Sequence, residues 1–206
     1  MSILKKFSNK LSEEAQILKG EKGLNKTYHS FKAYSNEQEA KNIFTRQAEK
    51  FLNISTWDQF SGPENASFKH YDASAAPITN DKVNVGDYIS IDLPGPLPIY
   101  WVRVEKVIIE PELVNITVRP SEDPTSSNTE KTKHFFTDDA TSAFILERKG
   151  KELHAYEIGK NEVINNNEKA GAEAPINTAV ATGGWAGIQA HQWNTFTRNL
   201  VEKIEF

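Results

Sequence analysis

Between Ala66 and Val163 apolar residues recur at every second position, while on either side of that stretch they recur at helical spacing. At the start, Leu4, Phe7, Leu11, Ala15 and Leu18 lie on one narrow face and predict a helix over residues 2–19, with Gly20 as its stop. In residues 21–34, Tyr28, Ser30, Lys32 and Tyr34 alternate against His29, Phe31 and Ala33, which predicts a short strand. Ser35 or Asn36 then caps a helix, each with a capping-box partner three residues on, Gln38 or Glu39. Its stripe is Ala40, Ile43, Phe44, Gln47, Ala48, Phe51 and Leu52, interrupted only by the glutamine, and it ends near Asn53. A further capped turn from Ser55 buries Trp57 and Phe60 before the Gly62-Pro63 break.

The period-two region predicts about six antiparallel strands. In VGDYISIDL, Asp87, Ile89, Ile91 and Leu93 oppose Tyr88, Ser90 and Asp92. The stiff PGPLP turn follows. In YWVRVEKVIIE, Trp101, Arg103 and Glu105 share one face, and Val102, Val104 and Ile108 the other, with Lys106 between them. Pro111-Glu112 turns the chain, and Val114, Ile116 and Val118 return inward. A polar loop, SEDPTSSNTEKTK, leads through HFFTDDATS to a hairpin that turns at Lys149-Gly150. The chain closes on a helix starting between Thr182 and Trp185. Trp185, Gln189, Trp193, Phe196, Leu200 and Ile204 lie along one side, a stripe too apolar to stand in water.

Strands segregated from helices define an α+β class. The expectation is an antiparallel curved sheet of about six strands packed on a long C-terminal helix, with N-terminal helices; a β-barrel or roll with peripheral helices is the alternative. Residues 1–20 form a helical extension and 21–206 one domain. This order of elements resembles the helix-grip fold of the START-like superfamily, and the resemblance implies a curved sheet wrapping the terminal helix with an apolar cavity between them. The N-terminal helix and the proline turn at 94–98 depart from that pattern. VGDYISIDLPGP, HFFTDDATSAF and IGKNEV also look like a family of uncharacterised bacterial proteins. That resemblance implies a bacterial, intracellular setting and brings no activity with it.

Composition narrows the classes. The chain has 206 residues, 38% hydrophobic and 25% charged, which suits one domain with a sizeable core. The net charge of -4 is made of interspersed signs, with no basic stripe to track phosphates, which argues against nucleic acid. There is no cysteine, so disulfides and thiolate metal sites are excluded. The basic start has only Ile3-Leu4 as an apolar run, too short for a signal peptide, and no stretch approaches the ~20 apolar residues of a membrane span. A soluble, cytoplasmic protein is expected, with a homo-oligomer left open.

Several clusters invite chemistry. Trp101, Arg103 and Glu105 can line a cavity, with Arg103 holding a carboxylate or phosphate, or form a solvated sheet face. His134, Asp138, Asp139 and Ser142 contain the residue types of a hydrolase triad, but no G-x-S-x-G elbow accompanies them, and a capped turn is the better reading. Of the five histidines, His70 and His154 lie on predicted strands and can converge, yet no metal-binding spacing occurs. Tyr156, Glu157, Lys160, Asn161 and Glu162 either border a pocket mouth or end a strand. Gly183-Gly184 offers a weak anion site and serves first to start the helix.

The leading expectation is a binder of a small apolar or amphipathic ligand between sheet and terminal helix, lined by Trp101, Arg103, Tyr156, Trp185 and Trp193, with no metal and no cofactor. Two alternatives stand beside it. One is an interaction module using residues 1–20 or the proline turn at 93–98. The other is a cyclase- or hydrolase-like enzyme, which needs His70, His154 or Glu157 to point inward beside a cavity.

Overall fold

The computed structural model describes residues 24–94, 99–126, 136–137, 139–163 and 185–202. The predicted helix over 2–19 lies outside them. The elements are β1 (Leu24–Ala33), α1 (Glu37–Leu52), a 3-10 turn (Ile54–Thr56), α2 (Trp57–Ser61), β2 (Ser67–Tyr71), β3 (Pro77–Ile78), β4 (Tyr88–Asp92), β5 (Tyr100–Glu110), β6 (Leu113–Ser121), β7 (Thr141–Lys149), β8 (Glu152–Glu162) and α3 (Trp185–Val201). The strands form one antiparallel sheet of eight, in the order β1-β8-β7-β6-β5-β4-β2-β3. The α+β class and the C-terminal helix are as the pattern predicts. The two strands beyond the six are β1, whose alternation is visible, and β3, whose two residues are too few to show a period.

Asn36 is the cap of α1: its Oδ1 accepts from the Glu39 backbone N–H at 2.9 Å, while Glu39 Oε2 accepts from the Ser35 N–H at 3.0 Å. The helix buries the seven positions of its stripe, Gln47 included. Gln47 Nε2 donates to the carbonyls of Leu200 at 3.1 Å and Glu202 at 2.9 Å. Carbonyls at a helix C-terminus lack intrahelical partners, so the polar interruption in α1 serves the end of α3. Tyr34 Oη donates to the Val201 carbonyl in the same place.

The inner face of the sheet and the helices share one core. Phe196, 1% exposed, is its hub on α3, with ring centroids 5.2 Å from Trp57, 5.5 Å from Phe60 and 5.8 Å from Phe144. Burying such a side chain stabilises the fold by about 1.5–3 kcal/mol. Trp193, one turn earlier, meets Phe144 at 5.1 Å.

One strand departs from simple alternation. In β5, Val104 pairs with Val118 but Lys106 pairs with Thr117, so Glu105 is the extra residue of a bulge. The inward phase therefore switches. Tyr100, Val102 and Val104 face the core before the bulge, and Val107 packs against it afterwards. The expectation that Lys106 and Ile108 continue the inner face is corrected: Lys106 is exposed and pairs beside the outward Thr117.

Candidate ligand cavity

Between the sheet and α3 lies a cavity of about 70 Å³. Its walls are mostly apolar: Phe68, Ile89, Val102, Val118, Phe144 and Trp193 supply much of the surface. Its polar lining is concentrated where β7 approaches α3, at Thr141, Ser142, Gln189 and Gln192. Both glutamines are buried, while Thr141 and Ser142 are half-buried.

Directly behind that end stand two buried carboxyls. Leu153, Ala155, Glu157 and Gly159 are the inward positions of β8, which puts Glu157 on the core face at 0% exposure. Its cross-strand partners are Tyr28 on β1 and Phe144 on β7. Neither of its oxygens makes a hydrogen bond of good geometry. Burial, reinforced by the charge of Glu162, pushes the carboxyl up to about 8, with the Ser142 hydroxyl and the Lys26 ammonium pulling the other way.

Glu162 reaches the same place by a break in phase. Asn161 has φ 53°, a left-handed conformation that asparagine tolerates better than most residues. The turn leaves Asn161 exposed and carries Glu162 inward. Its side chain folds back over Gly159, where an added Cβ would stand 2.6 Å from Glu162 Cδ. Glu162 Oε1 accepts from Gln189 Nε2 at 3.2 Å, and its Oε2 lies 4.0 Å from Lys26 Nζ. Lys26 Nζ in turn donates to Gln189 Oε1 at 2.6 Å. Burial raises the Glu162 pKa, opposed by Lys26 and by the Gln189 hydrogen bond. Burial and both carboxylates raise Tyr28 to about 12.

The residues that the sequence singles out fall into two groups. Trp193 lines the cavity. Trp185 opens α3, and its side chain lies outside the described part of the chain. Trp101, Arg103 and Tyr156 stand on the opposite face of the sheet, away from the cavity. On β5 the positions flanking Val102 point outward, and on β8 the same holds for the neighbours of Glu157. There Trp101 packs against Tyr71 at 4.8 Å, and Arg103 lies over the Tyr88 ring at 5.8 Å. Tyr156 stacks on His29 at 4.4 Å. Sequence reasoning missed Ser142, Gln189 and Gln192 as lining. The signal was a glutamine within the apolar stripe of α3, Gln189, with a second, Gln192, one helical turn on.

His70 and His154 do not converge. His70 is buried and its Nε2 meets Asp87 Oδ2 at 2.9 Å. His154 lies on the outer face, 3.1 Å from His29 and 3.2 Å from Glu152. Among the described residues no group of three or more His, Asp or Glu side chains is arranged to hold a metal. In HFFTDDATS, Phe136 is buried and the Ala140 N–H donates to the Thr137 carbonyl at 3.0 Å, a closed turn; His134 and Asp138 lie outside the described residues, as do Gly183 and Gly184. Most of the proline turn also lies outside them. No helix among the described residues is long and apolar enough to cross a membrane.

The class of protein that this fold defines is an antiparallel sheet and a C-terminal helix enclosing a small void. No protein-family model matches the chain, and no curated protein matches it in sequence. Among solved structures it is similar to a hypothetical protein of Helicobacter pylori, with TM-score 0.54, 12% identity and 91% of each chain covered. A protein of Staphylococcus epidermidis solved by NMR gives TM-score 0.43 at 12% identity, covering 90% of this chain and 94% of that one. A major latex-like protein of Panax ginseng gives 0.41 at 12% identity, covering 82% of this chain and 99% of that one. The first likeness shows a shared fold; the other two are too loose to carry an argument.

Proposed function

We propose that the protein binds a small apolar or amphipathic molecule between the sheet and α3. The observation that supports this most is the polarity gradient of the cavity, apolar along β4, β5 and β6 and polar where β7 meets α3. Sites for small molecules have this make-up, with few polar groups fixing orientation in an apolar shell. Trp193 is the aromatic wall of the proposed site.

The resting void is small. At about 70 Å³ it falls short of the ~150 Å³ that admits benzene into an engineered cavity and of the ~300–1,000 Å³ of common ligand sites. Ligand entry therefore displaces wall side chains, and the void is the contracted form of the site.

Native mass spectrometry of freshly purified protein, followed by titration with the neutral dye N-phenyl-1-naphthylamine, tests this reading. A co-purifying small molecule, or dye fluorescence lost in a Val118→Phe variant that retains its circular dichroism, supports it. Absence of any bound mass together with absence of dye binding overturns it.

A further inference from the structure

A buried carboxyl whose oxygens make no hydrogen bond of good geometry, with only the Ser142 hydroxyl and the Lys26 ammonium acting on it, requires a physical explanation. Glu157 is wholly buried, and its place in the sheet is fixed by direct pairing with Tyr28 and Phe144. Phe144 is also cavity wall, as are Ser142 and Gln189. Glu157 therefore sits one side chain behind the polar end of the void. Around it the charges are unequal. Two carboxyls, Glu157 and Glu162, face a single ammonium, Lys26, which is already engaged by Gln189 and Glu162. Lys26 and Glu162 balance each other while Glu157 keeps its proton; once Glu157 ionises, the region lacks one positive charge, and an ammonium beside Glu157 supplies it.

We propose that the ligand of this cavity is an apolar amine, whose ammonium group is held against Glu157 at the β7–α3 end while its hydrocarbon or aromatic body lies along β4, β5 and β6. This inference rests on the binding reading above and names the chemical class that the site accepts. An ammonium placed there donates to the Glu157 oxygens, with the Ser142 hydroxyl beside them. Charge-assisted contacts of this kind at a buried carboxyl are strong. A carboxylate ligand would meet the Glu162 charge with Lys26 already taken, and above about pH 8 the Glu157 charge as well.

The groups around Glu157 set how binding responds to pH. Lys26 and Tyr28 face it from β1 and Glu162 from the end of β8, while Ser142 on β7 and Gln189 on α3 do not titrate. In the free protein Glu157 holds its proton up to about pH 8. Binding an ammonium ion displaces that proton to solvent, so one proton is released for each cation bound. Affinity for the amine then rises by up to about tenfold per pH unit below that value, levels off, and falls once the amine itself loses its proton near pH ~10.

The test uses three probes of matched size, phenethylamine, propylbenzene and 3-phenylpropionate, titrated calorimetrically into the full chain at pH 6 and pH 8.5. The expected result is phenethylamine binding at least tenfold tighter than propylbenzene at pH 8.5, an advantage that shrinks at pH 6, with proton release seen as a dependence of the heat on buffer. Glu157→Gln is expected to erase the advantage and leave propylbenzene unchanged. The pH dependence in the unaltered protein provides the same test without any substitution. Equal or tighter binding of propylbenzene or 3-phenylpropionate overturns the inference while leaving the binding reading intact, as does an amine preference that survives Glu157→Gln. Failure of all three probes overturns the inference as well, and the binding reading is then decided by the mass spectrometry and dye titration above.

Discussion

Phe144 and Glu157 stand directly opposite one another on β7 and β8, on the core face of the sheet. An aromatic cavity wall and a carboxyl without a hydrogen bond of good geometry are thus nearest neighbours across a strand pair. The pairing places a buried carboxyl, costly to ionise there, beside an apolar void.

Stability is expected to depend on pH through Glu157. Its pKa is raised in the folded chain, to about 8 from an ordinary value of 4.5, so the folded state holds the proton more tightly than the unfolded one. The stability contributed by that proton is complete below about pH 4.5 and is lost as the pH rises towards 8, by on the order of a few kcal/mol. Urea denaturation at pH 5, 6.5 and 8 should show that decline in the natural chain and a much flatter profile in Glu157→Gln. Parallel profiles would contradict the assignment.

Gly159→Ala should dislodge Glu162. The new methyl group would occupy the space of the folded-back carboxyl, and a side chain only 1% exposed has nowhere to swing. A loss of about 1–3 kcal/mol is expected, as for overpacking elsewhere. The midpoint of urea unfolding measures it, and an unchanged midpoint would show that Glu162 moves freely.

Trp193→Ala should lower stability by about 3–5 kcal/mol and at the same time enlarge the cavity. The ring lies against Phe144 at 5.1 Å and Phe196 at 5.9 Å, so its removal opens the void from the helix side. If the void is the contracted form of a ligand site, propylbenzene should raise the melting temperature of this variant more than that of the natural chain. Thermal unfolding with and without the hydrocarbon gives the comparison.

Arg103→Ala and Tyr156→Ala should leave ligand affinity at the cavity unchanged. Both side chains lie across the sheet from it, and the stability cost of losing exposed Arg103 should stay within about 0.5 kcal/mol. A tenfold change in N-phenyl-1-naphthylamine affinity in either variant would mean that ligand reaches the outer face.

The sheet and α3 were legible because their periods are simple. A stripe of Trp193, Phe196 and Leu200 admits no solution except burial, and the alternation of Val114, Ile116 and Val118 fixes the inner face of β6. The site was less legible, because which face a strand turns inward depends on phase. On β5 the aromatic Trp101 drew attention to the wrong side, for it packs against Tyr71 on the outer face. The same alternation on β8, with Leu153 and Ala155 inward, already implied that Glu157 points at the core. No local pattern announces the Glu105 bulge or the left-handed Asn161, for both arise from pairing with distant strands. Gln47 and Gln189 read in sequence as flaws in apolar stripes, and in the fold they are the residues that satisfy buried polar groups.

The sheet order also bears on how the chain assembles. The first strand, β1, pairs with β8, so Tyr28 meets a partner at position 157. It also rests on α3, where Ser30 Oγ lies 2.9 Å from Thr197 Oγ1. During synthesis at about 5–20 residues per second, β1 must wait several seconds before the segments it docks against leave the ribosome. The meander from β4 to β8 closes through neighbouring hairpins, whereas β1 joins through a long-range closure, the slow kind of contact. Until it docks, the flank of β8 is an open strand edge, and crowding at that moment favours clumping over completion.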